Sequence, residues 1–151
     1  MKTITEWFDE YGESHQNKTN KMLHWICVPT IYFSIIGILA HFSVLLTALL
    51  LVFVLIFYAR LDLVLAVAMA ALTLVMAWLI FILPTGVGLY IALFVFAWIG
   101  QFYGHKIEGK KPSFFKDLQF LLIGPIWCVD AYLYKVLPYW KTRQKTQLTS
   151  I

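Results

Sequence analysis

From Leu63 to His105 the chain reads LVLAVAMAALTLVMAWLIFILPTGVGLYIALFVFAWIGQFYGH, 43 residues without a Lys, Arg, Asp or Glu. A helix rises about 1.5 Å per residue and a hydrocarbon core is about 30 Å thick, so about 20 residues suffice for one span. The stretch is therefore too long for one span and holds two. They part at Pro84-Thr85-Gly86, where proline and glycine break a continuous helix. Upstream, Met22 to Ala59 forms a second uncharged run of 38 residues, which divides at its most polar point, Ala40-His41-Phe42-Ser43. Arg60-Leu61-Asp62 joins the two hairpins.

The spans expected from these breaks are 25–40, 44–58, 63–83 and 87–104. A strand reading fails because the apolar positions are continuous rather than alternating, and lipid accepts only helices or closed barrels. The fold class is thus all-α, an integral membrane helical bundle of two transmembrane hairpins in a single domain. A fifth apolar segment, about 118–137 within 117–140, contains Gln119, Gly124-Pro125 and Asp130. It reads as a broken span, a re-entrant piece or an interfacial helix. Residues 1–24 read as a polar N-terminal helix carrying a histidine motif, 105–116 as a basic second motif and 141–151 as a loose tail. The N-terminus lacks the basic start and apolar centre of a signal peptide and is expected to persist.

Composition supports the membrane reading. Of 151 residues, 61% are hydrophobic and 13% charged, with a mean hydropathy of +0.77. A water-soluble body of 17.5 kDa has too little interior to hide so much apolar surface. The net charge of +4 does not point to nucleic acid, because the basic residues flank the apolar runs. Lys18 and Lys21 precede the first span, Arg60 joins the hairpins, and Lys106, Lys110, Lys111 and Lys116 follow the fourth. The positive-inside rule makes that shared side cytoplasmic and turns His41 and Thr85 to the opposite compartment. A fifth crossing would carry Lys141, Arg143 and Lys145 across, which favours a segment that does not cross. Lys106, Lys110 and Lys111 read first as contacts for lipid phosphates, and Trp7, Trp25, Trp98, Trp127 and Trp140 as interface anchors. Cys27 and Cys128 fit neither a disulfide framework nor a zinc motif and read as buried and inert.

Two polar clusters end up on the same face. In the first, Asn17, Asn20, Lys21 and His24 share one helical face, and a bend between His15 and Asn17 would bring His15 to them. In the second, Gln101 precedes His105 and Glu108, which are three apart and can face one site. Three histidines and a carboxylate suit iron or zinc, and open positions beside imidazole and carboxylate ligands are the arrangement of non-haem Fe(II) oxygenases. The plainer alternatives are interfacial histidines that only hydrogen-bond, and Asn17 and Asn20 serving only as helix caps. Lys21 or Lys106 would suit attraction of a substrate carboxylate. His41, on the other face, reads as an ordinary polar residue.

The motifs His15-x-Asn17-x-x-Asn20-Lys21-x-x-His24-x-x-x-x-Pro29 and Gln101-Phe-x-Gly104-His105-x-x-Glu108-x-x-x-Pro112 resemble those of the Mpo-like membrane proteins. The resemblance spans nearly the whole chain. Fungal members are endoplasmic-reticulum dioxygenases that use Fe(II) and O2 to shorten 2-hydroxy fatty acids by one carbon. The resemblance implies His15, His24 and His105 as iron ligands, with Glu108 as a fourth ligand or a support. It implies Asn17, Asn20, Lys21 and Gln101 as supports or substrate contacts, and a bacterial inner membrane or an endoplasmic reticulum as the location. Cys27 and Ser113-Phe114 depart from the usual family residues without touching a proposed ligand. The competing class is a non-enzymatic, membrane-shaping hairpin protein. A bis-His haem carrier would need paired histidines at matched depth inside spans, and a histidine-box desaturase needs about twice the four histidines present.

Overall fold

The computed structural model describes residues 2–109, 114–137 and 140, with backbone alone over 114–119. Lys110, Lys111, Pro112, Ser113, the side chain of Lys116 and the tail 141–151 lie outside the described residues. The described chain is all helical: α1 (Ile4–Gly12), α2 (Lys18–Phe42), α3 (Val44–Leu61), α4 (Leu63–Ile82), α5 (Val87–Glu108) and α6 (Phe114–Val136). Four of these, α2 to α5, are long and apolar enough to cross a membrane.

The two turns within α2–α4 are single residues, each serving two helices. The Ser43 N–H donates to the Leu39 carbonyl and closes α2, while its Oγ accepts from Leu46 N at 3.2 Å and opens α3. Asp62 repeats this pattern. Its N–H donates to the Tyr58 carbonyl, and Oδ1 accepts from Leu65 N at 2.9 Å. A short acceptor side chain on an extended residue satisfies orphaned N–H groups where water is scarce.

The N-terminal 24 residues are not one polar helix. α1 starts on a capping box, with Thr3 and Glu6 serving each other's backbone N–H. It ends at Gly12, and α2 begins after Asn17, whose side chain caps Thr19 N at 2.8 Å. The polar turn 18–24 therefore belongs to the first spanning helix. It extends that helix well beyond the expected start at 25, because the Asn cap rather than the onset of hydrophobicity fixes where helix begins. α5 likewise runs on to Glu108, beyond the expected 104, and stops at Gly109 in the left-handed region (φ 72°).

α2 is the centre of the molecule, packed most extensively on α5. The contact is close because Gly100 and Gly104 leave room for α2. A Cβ at Gly100 would lie 2.6 Å from Cys27 Sγ, and one at Gly104 would collide with Asn20 Oδ1. Such small-residue seams let helices meet through backbone and van der Waals contact where lipid supplies no hydrophobic drive. On its other side α2 joins α3 and α4 around Tyr32, Ile36, Tyr58, Leu65 and Met69.

α6 lies across one end of the bundle. Tyr132 Oη donates to the Trp25 carbonyl at 2.9 Å, Cys128 Sγ faces the His24 carbonyl at 3.8 Å, and Tyr58 Oη donates to the Leu122 carbonyl at 2.6 Å. His24 and Trp25 lie in the first turns of α2 and Tyr58 in the last turn of α3, so these bonds fasten α6 to both helices at the same end of the bundle. The Trp25 carbonyl is available because Pro29, four residues on, has no N–H to fill it. Trp140 is not an interface anchor: it is 3% exposed and its indole N–H binds Asp130 Oδ1 at 2.9 Å. Partnering that polar atom lets the ring enter the core.

Candidate metal centre

Breaking the chain at residues 13–17 folds His15 back over the start of α2. The ring centroids of His15 and His24 are 4.2 Å apart, those of His24 and His105 5.0 Å, and those of His15 and His105 5.6 Å. One ring nitrogen from each of the three lies within 4.8 Å of the others. His15 and His24 are only 2% and 1% exposed.

Each of these two buried rings is oriented by a carbonyl of its own chain segment. His15 Nδ1 donates to the Tyr11 carbonyl at 2.6 Å, and His24 Nδ1 donates to the Asn20 carbonyl at 3.0 Å. Placing the proton on Nδ1 leaves the Nε2 lone pair as the free acceptor, the usual arrangement of a metal-binding imidazole. Burial pushes the His15 imidazole down to about 4 from its usual 6.5, against the raising effect of the Tyr11 carbonyl. His15 is therefore neutral near pH 7, the form that can ligate.

His15 Nε2 is buried with no hydrogen-bond partner. A buried unpaired polar atom costs about 1–3 kcal/mol, and a cation between the rings would satisfy it. The donor set therefore fits a metal ion, and three imidazoles suit iron or zinc. His41 shows the contrast. Its Nδ1 faces the Gly37 carbonyl at 2.8 Å and its Nε2 the Thr85 carbonyl at 3.1 Å, so each nitrogen meets a backbone acceptor at the opposite end and neither converges with another ligand.

Glu108 falls outside the three-histidine group. Oε1 accepts from Gln16 N at 2.9 Å, and Oε2 accepts from Asn17 N at 2.9 Å and from Asn20 Nδ2 at 3.0 Å. The carboxylate thus sits at the N-terminus of α2, where the helix dipole favours negative charge. Asn20 is fully buried and also donates to the Ser14 carbonyl at 3.1 Å. Asn17 is the α2 cap, and Lys21 is half-buried on the same helix. Gln101, one turn before His105, lines the cavity beneath the rings.

Tyr11 was not singled out from the sequence, and Gly104 was named there only as a motif position. Tyr11 stacks on His15 with centroids 4.2 Å apart and planes 11° apart while supplying the carbonyl for its Nδ1. Gly104 gives Asn20 its place. The only sequence signal for Tyr11 was its position four residues before a histidine.

The three histidines close one end of a cavity of about 460 Å³. Glu13 and Ser14 stand at its polar end, and its walls run on through Val28, Ile31, Ile35 and Leu39 of α2. Helices, histidine trio and apolar cavity together define the class: a helical membrane protein with a candidate metal centre facing an apolar pocket. The particular family follows from comparison. Residues 1–136 match the family model described as 2-hydroxy-palmitic acid dioxygenase Mpo1-like, and the chain belongs to that family. It is 32% identical over 136 residues, covering 83% of this chain and 77% of the relative, to the Saccharomyces cerevisiae protein named 2-hydroxy-palmitic acid dioxygenase MPO1. No solved structure matches the chain.

Proposed function

We propose that this protein is an Fe(II)-dependent dioxygenase that shortens 2-hydroxy fatty acids by one carbon, with His15, His24 and His105 holding the iron. The observation that carries the reading is the trio of converging imidazoles, one with an orphaned buried Nε2, at the head of an apolar cavity. Family membership and the name of the yeast relative supply the reaction class.

Bound Fe(II) supplies a centre at which O2 and the 2-hydroxy acid can react. The chain's own residues do the rest. The Tyr11 and Asn20 carbonyls hold two rings in the ligating tautomer. The cavity walls exclude water and keep the alkyl tail beside the centre, which contributes proximity and orientation. Gln101, on the cavity wall, offers an amide near the polar head. Glu108 and Asn20 brace the α1–α2 bend rather than ligate. Lys18, Lys21, Arg60 and Lys106 on the histidine side support a cytoplasmic-facing centre in a bacterial inner membrane or an endoplasmic reticulum.

The test is to purify the full chain without oxygen, load Fe(II), and add 2-hydroxypalmitate and O2. Mass spectrometry should find the product one carbon shorter. Bound zinc in place of iron, or bound iron with no product from any 2-hydroxy acid, overturns the reading.

A further inference from the structure

The cavity continues far below the imidazoles. Along α2 its wall includes His24, Val28, Ile31, Ile35 and Leu39, spaced four, three, four and four apart on one helical face, with Tyr32 and Ile36 beside them. Fifteen residues at about 1.5 Å each make this stripe about 22 Å long. A hydrocarbon core of about 30 Å is two acyl tails deep, so an ordinary membrane tail reaches about 15 Å. The stripe has room for a whole long-chain tail in extended form.

Its deep half offers nothing polar to bind. Below Trp98 and Gln101 the polar lining residues are Tyr32 and Thr47, and both hydroxyls are used within the protein. Tyr32 Oη pairs with Thr73 Oγ1 at 2.9 Å, and Thr47 Oγ1 donates to the Ser43 carbonyl at 2.8 Å. The far end lies at the α2–α3 turn, where Leu39 and Thr47 line it. Leu39 lies four residues before Ser43 and Thr47 four residues after, and both are tied to it by backbone or hydroxyl bonds. Both helices therefore meet at this end of the cavity, with Leu39 and Thr47 on either side of the turn.

We propose that this cavity is a ruler for the substrate tail: the alkyl chain lies extended along α2, and Leu39 and Thr47 at the α2–α3 turn set the longest tail accepted. The inference rests on the reading of the site as one for 2-hydroxy fatty acids. Its distinguishing feature is grading by depth. A bulky residue at position 35 blocks about 6 Å nearer the imidazoles than one at position 39.

The experiment uses the purified full chain loaded with Fe(II) and a series of saturated 2-hydroxy acids from octanoic to docosanoic. Affinity is read from ligand-induced shifts of the thermal unfolding midpoint, and turnover is read in parallel. Leu39→Trp should shorten the optimal tail and Ile35→Trp should shorten it further, with iron content retained. Excluded lengths should lose about tenfold in affinity for every two methylenes left unburied. Leu39→Ala, a truncation that needs no new space, should move the optimum to longer tails. An unchanged length profile in these variants, or an equal loss at every length, overturns the ruler. Binding that follows the ruler with no turnover by the unaltered protein overturns the dioxygenase reading and leaves the ruler standing.

Discussion

Glu108 Oε2 accepts the side-chain N–H of Asn20 at 3.0 Å, while the Asn20 backbone carbonyl receives the Nδ1–H of His24. One residue thus links the end of α5 to the orientation of a buried imidazole in α2. The same carboxylate takes the N–H groups of Gln16 and Asn17, which fixes the bend that returns His15 to the other two rings. The acid and the histidines form a frame and its contents.

Glu108→Gln tests that division of labour. The amide keeps its shape but turns one acceptor into a donor facing N–H groups. A support of this kind is expected to weaken iron affinity about 10–100-fold without abolishing it, whereas His24→Ala or His105→Ala should leave the protein without iron. Elemental analysis and Fe(II) titration separate the two. Complete loss of iron in Glu108→Gln, equal to that of the histidine variants, would make Glu108 a ligand.

Gly104→Ala is expected to be costly although it adds one methyl group. Its Cβ would collide with Asn20 Oδ1 and approach His24 Cε1 to 3.6 Å, so Asn20 must leave its place or α5 must move off α2. Overpacking of this kind costs about 1–3 kcal/mol. Gly88, on the same helix with nothing within 4 Å of an added Cβ, is the control, and Gly88→Ala should leave stability unchanged or slightly raised. Thermal unfolding in detergent and iron content should both fall for Gly104→Ala alone.

Much of the fold was legible because uninterrupted hydrophobicity is a strong signal: the breaks at Ser43, Asp62 and 84–86 lie where His41-Phe42-Ser43, Arg60-Leu61-Asp62 and Pro84-Thr85-Gly86 placed them. The start of α2 was not, since Lys18 to Met22 carries no apolar stripe and only the Asn17 cap marks it. The meeting of His15, His24 and His105 was legible through topology, because an even number of spans returns the chain to one face. Their hydrogen bonds were not. Backbone carbonyls such as those of Tyr11 and Asn20 have no residue signature, and the Glu108 contact to Gln16 joins positions 92 residues apart.

The placement of α6 gives a sidedness test. If α6 stays at one interface, cysteines introduced at Thr3 and Leu137 should react with a membrane-impermeant maleimide from the same side of sealed vesicles. A cysteine at Thr85 should react from the other. Cys27 and Cys128 are buried and should contribute little background. Labelling of Thr3→Cys and Leu137→Cys from opposite sides would require α6 to cross.

Metal removal should be reversible and selective. Chelation is expected to abolish turnover and lower the thermal midpoint, because an ion that binds only the folded state stabilises it. Fe(II) should restore both. Zn(II) should restore stability without turnover, since three imidazoles accept either ion. Recovery of activity with Zn(II) would exclude iron as the working metal.

Tyr132 and Pro29 make a final, separable prediction. Pro29 removes the N–H that would fill the Trp25 carbonyl, and Tyr132 Oη fills it from α6. Tyr132 is 44% exposed, so Tyr132→Phe should cost about 0.5–1.5 kcal/mol, the net range for an ordinary hydrogen bond. In a Pro29→Ala background the alanine N–H can take over that carbonyl, and the same Tyr132→Phe change should cost markedly less. A double-mutant cycle on unfolding free energy reads the coupling directly. Additive effects would show that Tyr132 docks α6 by packing alone. A coupling near the full single-mutant cost would show that the proline in the first span creates the acceptor by which α6 is fastened over the histidine end.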